Sequence, residues 1–268
     1  MEQTVAQRYG QRWSTGAAVR AERFADMSRP AWDAVAAATG IGPGQRVLDV
    51  ACGSGEFGRL VADRGAAVAG IDAATGMIEL AGRLLPGADL RVGTLESLPW
   101  PDGFFDVVTG FNAFQFAPDL PAALAEAARV TRPGGRVAVC NWGPADECEL
   151  ITVVRGLEHL QPEPPLVPRR NLGEPGVLDD VVRAAGLYPE TDAVVDVPYR
   201  APDTPTLVRD LLSAGNTRPA VEHSGLAAVR AALTEVAVPF RRPDGSYLFR
   251  NTFRYVVGTR PLAGRPAP

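Results

Sequence analysis

The stretch Arg46-Val-Leu-Asp-Val-Ala-Cys-Gly-Ser-Gly-Glu-Phe-Gly58 constrains this chain more than any other. It reads as a short apolar, β-branched strand running into a glycine-rich turn, then a helix with Phe57, Leu60 and Val61 on one face. A second strand, Ala67-Val-Ala-Gly-Ile71, closes on Asp72, an acid that can accept hydrogen bonds from ribose hydroxyls. A strand, turn, helix, strand and acid in this order suit a nucleoside-containing cofactor.

The alternation of strand and helix continues, which predicts an α/β fold with a parallel sheet covered on both faces. A helix over 74–85 carries Met77, Ile78, Ala81, Leu84 and Leu85 at helical spacing. Strands follow at 89–92 and 105–111, then a helix at 119–130 and a turn, Arg132-Pro-Gly-Gly135, into a fifth strand at 136–142. Residues 1–45 read as helical, anchored by Trp13, Phe24, Met27 and Trp32. Ser28-Arg-Pro30 there predicts a cap and a proline opening a new helix.

Beyond 143 the pattern predicts a helix at 147–160, a proline-rich loop at 161–168, a short helix at 176–185 and an extended stretch at 191–199. Amphipathic helices at 205–214 and 225–238 and one long last strand at 247–257 complete the reading. The expected organisation is an N-terminal helical cap (1–45), a cofactor-binding core (46–145), the rest of the sheet with substrate-lid helices (146–260) and a tail (261–268).

Of the 268 residues, 46% are hydrophobic and 22% charged, as in a globular protein with a full core. A net charge of −4, without a Lys/Arg cluster, argues against a nucleic-acid track. No apolar run reaches the ~18 residues of a membrane span, and the polar first residues lack a signal-peptide core. Cys52, Cys140 and Cys148 show no paired spacing and there are two histidines, so neither a disulfide nor a metal site is expected, and a cytoplasmic location is.

Gly53-Ser-Gly-Glu-Phe-Gly58 satisfies G-x-G-x-x-G, with Asp72 nineteen positions after Gly53, which by itself fits a dinucleotide-binding turn. The charges oppose that reading. Asp49 ends the first strand and Glu56 opens the helix, so a pyrophosphate on that helix N-terminus would meet two carboxylates. A phosphate-free cofactor bearing an ammonium and a sulfonium would be drawn to Asp49, and the glycines would let the backbone approach it closely.

Val47-Leu-Asp-Val-Ala-Cys-Gly-Ser-Gly55 resembles the first motif of class I S-adenosylmethionine-dependent methyltransferases. Four further segments resemble that family's later motifs in the right order: Gly70-Ile-Asp-Ala-Ala-Thr-Gly-Met77, Gly93-Thr-Leu-Glu-Ser-Leu-Pro-Trp100, Phe105-Asp-Val-Val108 with Asn112, and Arg132-Pro-Gly-Gly-Arg-Val137. The resemblance is tight over 45–145 and loose over the rest. It implies a Rossmann-like, mostly parallel seven-stranded sheet with an antiparallel last strand and helical lid insertions. It also implies S-adenosylmethionine as cofactor, with Asp49, Ala51 and Gly53 at its methionine end, Gly55 among the cofactor-binding residues, Asp72 on the ribose, Ala73 and Met77 flanking the adenine, Thr94 and Leu95 on the adenine's far edge, and Asn112 near the methionine portion. Thr94 departs from the family's frequent Asp, so adenine recognition would rest more on the Leu95 backbone.

The acceptor is then expected to be a small organic molecule. Trp13, Phe111, Phe114, Gln115, Phe116 and Trp142 are the candidate pocket wall. His223 is the candidate base, whereas His159 falls on the polar face of its helix. The chain lacks the Asn/Asp-Pro-Pro-Tyr type of motif found in many base and amide N-methyltransferases, and it is expected to act as a monomer or homodimer. Two other readings stay open: a methyltransferase-fold protein that binds the cofactor without methyl transfer, in a cyclase or scaffold role, and a nicotinamide oxidoreductase.

Overall fold

A computed structural model describes residues 3–15, 17–161, 165–168 and 170–262. Among these, seven strands form one sheet: β1 (Arg46–Val50), β2 (Ala67–Asp72), β3 (Asp89–Val92), β4 (Phe105–Phe111), β5 (Thr131–Trp142), β6 (Tyr188–Asp196) and β9 (Thr252–Thr259). Their order is β3-β2-β1-β4-β5-β9-β6. All pairings from β3 to β5 are parallel, and β9 runs antiparallel between β5 and β6. This is the Rossmann-like sheet with an antiparallel last strand that the motifs imply. Two short strands, β7 (Tyr199–Ala201) and β8 (Tyr247–Phe249), pair separately.

The helices are α1 (Val5–Ser14), α2 (Ala17–Thr39), α3 (Glu56–Asp63), α4 (Thr75–Leu84), α5 (Leu120–Val130), α6 (Glu149–Arg155), α7 (Val177–Ala184), α8 (Thr204–Leu212) and α9 (Arg218–Val236). Alternation along β1 places Val47 on the face covered by α2 and α3, and Leu48 and Val50 on the face covered by α5 and α7. With both faces covered, the strands read as nearly continuous apolar runs. α5 begins where Asp119 accepts a hydrogen bond from the Ala122 N–H (3.0 Å), with Pro121 in its first turn.

Several elements differ from the sequence expectation. No new helix starts at Pro30, because α2 runs through it. The proline forfeits one backbone hydrogen bond, but Phe24, Met27, Ala31 and Val35 share one face and are buried in the core with Tyr255 and Val257. That burial holds the helix together, so α2 is a core element and only α1 lies outside. The helix expected at 147–160 is α6, capped by Gly156, followed after the buried Leu157 by a short 3-10 turn, Glu158–Leu160. The helix expected at 225–238 is the second half of α9: Gly225 (φ 81°, ψ 154°) breaks the helical path and separates it from an unexpected first half that starts at Arg218 with Pro219 in its first turn. Of the loop at 161–168 and the tail at 261–268, residues 162–164 and 263–268 lie outside the described residues.

The long last strand is in fact two. Asn251, 2% exposed, interrupts it: its Oδ1 accepts from the Leu150 N–H (3.0 Å), and its Nδ2 donates to the Phe249 carbonyl (3.3 Å). The strand break therefore supplies a partner for a backbone amide at the start of α6. Asn251→Ala should lower the free energy of unfolding by about 2 kcal/mol, since it leaves buried backbone groups unpaired. Urea denaturation monitored by circular dichroism checks this.

Candidate cofactor and acceptor site

A cavity of about 930 Å³ opens over the C-terminal ends of β1, β2, β4 and β5. Its floor is the turn after β1. Three residues there have positive φ: Ala51 (53°), Gly53 (55°) and Gly55 (93°). Asn112, at the end of neighbouring β4, also has a positive φ (51°). Two non-glycine residues in this region, on adjacent strand ends facing one cavity, mark backbone strain of the kind found at functional sites. Asn112 is held there by its own side chain, whose Oδ1 accepts from the Trp142 N–H (2.9 Å).

Asp72 ties the floor together. Its Oδ2 accepts from the Gly53 N–H (2.9 Å) and its Oδ1 from the Ala74 N–H (2.8 Å), so one carboxylate joins the β1 turn to the start of α4. Asp49 lies deeper, 5% exposed, with Thr109 Oγ1 donating to its Oδ1 (2.8 Å). Burial pushes its carboxyl up to about 7, with the Thr109 hydrogen bond opposing and the charges of Asp72 and Glu56 adding to the rise. Three acidic side chains thus face one half of the cavity, an arrangement suited to a cationic, hydroxyl-bearing ligand. Cys52 is buried against Gly70 and its thiol is pushed upward by the same burial, so it is an inert packing residue.

α1 lies over this half as a cover. A Cβ at Gly10 would stand 2.2 Å from the Ala73 carbonyl oxygen, so the helix rests directly on the loop after β2. Ser14 Oγ accepts from the Gly76 N–H (3.3 Å) and donates to the Gly10 carbonyl (2.8 Å). Trp13 and Tyr9 meet Phe116 edge-on, with centroids 5.9 and 5.2 Å apart, and Trp13 also packs on Gly215.

Asp49, Ala51, Gly53, Asp72, Ala73, Met77, Thr94, Leu95 and Asn112 all border the cavity, as do Trp13, Gln115, Phe116 and Trp142. Three expected residues lie elsewhere. Gly55 is buried, and a Cβ on it would press on Ala81 and Leu85, so it spaces α3 from α4. Phe114 turns down into the core onto Gly110. His223 is exposed on α9 and does not border the cavity; nor does His159, which is also exposed. Phe111 borders the cavity as expected, whereas the sequence reading missed Phe24 and Trp32, which add to the aromatic wall, and Asn141 beside Trp142. The helical spacing of Phe24 and Trp32 was visible, but nothing in it says which anchor reaches past the core.

Comparison with known proteins agrees with this geometry. A family model described as a methyltransferase domain matches residues 48–139. The chain is 35% identical over 167 residues to a demethylmenaquinone methyltransferase of Mycolicibacterium paratuberculosis, covering 61% of this chain and 69% of that one. It is 42% identical over 93 residues to a malonyl-acyl-carrier-protein O-methyltransferase of Serratia marcescens, covering 35% and 36%. Among solved structures, the 4+2-cyclase SpnF shares the fold (TM-score 0.55, 20% identity, 87% of this chain and 81% of that one). The chain spans between 36% and 65% of the length of several curated relatives. Sheet order and strand-end site define a Rossmann-like methyltransferase fold. The chain belongs to the class I S-adenosylmethionine-dependent methyltransferases.

Two predictions follow from the floor and its cover. Because the folded state raises the Asp49 pKa, this carboxyl favours folding at low pH, and that contribution is lost as pH rises through about 7. Asp49→Asn should therefore match the wild type in thermal stability near pH 4 and exceed it at about pH 8; calorimetric melts of the ligand-free protein across that range test it. Gly10→Ala should dislodge α1 from Ala73 while leaving the sheet intact, raising hydrogen exchange in residues 5–14 about tenfold with little change in β1 and β4.

Proposed function

We propose that this protein transfers the methyl group of S-adenosylmethionine to a small, largely apolar organic molecule. The observation that carries the reading is the division of one cavity into an acidic half over β1 and β2 and an aromatic half over β4 and β5. The acidic half fits the cofactor on its own chemistry. Asp49 and Glu56 complement its positive methionine end, and Asp72, at the end of β2 on the cavity wall, is placed to accept from ribose hydroxyls. A Cβ on Gly53 would meet nothing within 4 Å, so that position leaves a cradle which a side chain would fill. Ala73 and Met77 would flank the adenine, with Thr94 and Leu95 along its edge and Asn112 near the methionine portion.

When bound, the cofactor supplies an electrophilic methyl group on a positively charged sulfur. The chain's residues bind, align and exclude water, which is what an in-line displacement requires of them. Trp13 and Phe116 close the cavity from above, while Phe111 and Trp142 hold an apolar acceptor beside the strand ends. α1 then caps the cofactor, 46–145 bind it and 146–260 shape the acceptor side. No helix among the described residues is long and apolar enough to cross a membrane, and the proposed setting is the cytoplasm, as monomer or homodimer. The names of the relatives support small acceptors.

A second reading, cofactor binding without methyl transfer, is favoured by one feature: neither histidine borders the cavity. The two readings separate in one set of measurements. Calorimetric titration should show micromolar binding of S-adenosylmethionine and S-adenosylhomocysteine and none of NADH. Asp72→Ala should weaken both by ~1.5–3 kcal/mol through lost charge-assisted hydrogen bonds. Release of S-adenosylhomocysteine with small phenols, enols or amines supports transfer; tight binding with no turnover across such a panel supports the second reading.

A further inference from the structure

Asn141 lies one residue past the last pairing of β5 with β4, Cys140 opposite Phe111, so it stands at the strand end next to Asn112. It is 4% exposed and borders the cavity. The other buried or half-buried asparagines of this region spend their side chains on backbone. Asn112 accepts from the Trp142 N–H, and Asn251 from the Leu150 N–H. The Asn141 carboxamide makes no hydrogen bond to any described residue. Its polar atoms are not shut off from solvent, so the carboxamide reaches the cavity and keeps its donor and acceptor available to a bound molecule. Around it the acceptor half is apolar, with Phe24, Phe111, Trp142, Leu150, Leu172 and Leu211.

We infer that Asn141 determines acceptor specificity, by hydrogen-bonding an oxygen function, hydroxyl or carbonyl, on an otherwise apolar molecule seated against the aromatic wall. The inference rests on the reading of this half of the cavity as the acceptor's. A carboxamide offers both an N–H donor and a carbonyl acceptor, so it can serve either function. It meets the acceptor at the strand end adjacent to β4, beside the proposed methionine end of the cofactor. A site built to pair a polar group rejects the analogue that lacks it far more strongly than an apolar pocket discriminates by size.

The test uses the full chain and its Asn141→Leu variant, with 2-naphthol, 2-acetylnaphthalene and 2-ethylnaphthalene as matched probes, titrated with and without S-adenosylhomocysteine. The wild type should bind the two oxygenated probes at least about tenfold more tightly than the hydrocarbon, and Asn141→Leu should bring the three within about twofold. Since the amide has no partner in the protein, Asn141→Leu should melt no lower than the wild type and keep its affinity for S-adenosylhomocysteine. A ranking that survives the substitution, three probes that all fail to bind, or a lower melting temperature in Asn141→Leu overturns the assignment. Loss of S-adenosylhomocysteine binding in the wild type would instead sink the methyltransferase reading, whatever the probes do.

Discussion

The carboxylate of Asp72 is the junction on which the site depends. By accepting from the amides of Gly53 and Ala74 it fixes the turn after β1 relative to the start of α4. α1 then rests on the residue between, through the contact of Gly10 with Ala73. Floor, edge and cover are thus assembled around one acidic side chain at a strand end.

Asp49 shows the opposite relation between site and stability. A buried carboxyl near two other acids is costly to ionise, and the Thr109 hydroxyl offsets only part of that cost. The positive φ of Ala51 and Asn112 adds strain on the same rim. A fold selected for stability alone would place an apolar residue at 49 and glycine at 51. Their presence is what a site poised for a cation requires, and the packed sheet beneath, with Leu48, Val50 and Val108 fully buried, supplies the stability to hold it.

Sequence reading recovered the parallel half of the sheet nearly residue by residue, since β3 and β4 carry the expected bounds and each turn is marked by glycine or proline. It failed where tertiary contacts overrode a local signal. Pro30 looked like a helix start, yet the burial of Met27 and Ala31 on either side outweighed one lost hydrogen bond. The last strand looked continuous because a single polar residue, Asn251, does not disturb a β pattern, although its side chain replaces the ladder at that point. Phe114 and Phe116 are indistinguishable by type and two residues apart. Only the space above Gly110 decides that the first fills the core and the second the cavity wall.

The two halves of the cavity differ in legibility for a physical reason. The proposed cofactor side is built from backbone turns and strand-end acids within one contiguous stretch. Close approach and left-handed dihedrals there demand glycine at fixed spacings, and the sequence records those demands. The proposed acceptor side is gathered from α2, the ends of β4 and β5, α6, residues 165–168 and 170–174, and the α8–α9 connection. It depends on which side chain of each segment points inward, and no spacing rule links residues so far apart. Asn141 is the extreme case: one polar letter at the end of an apolar strand, silent in the pattern, becomes conspicuous once its burial and its lack of a partner are known. The class of reaction is therefore written in the turns, and its acceptor in the packing of remote segments.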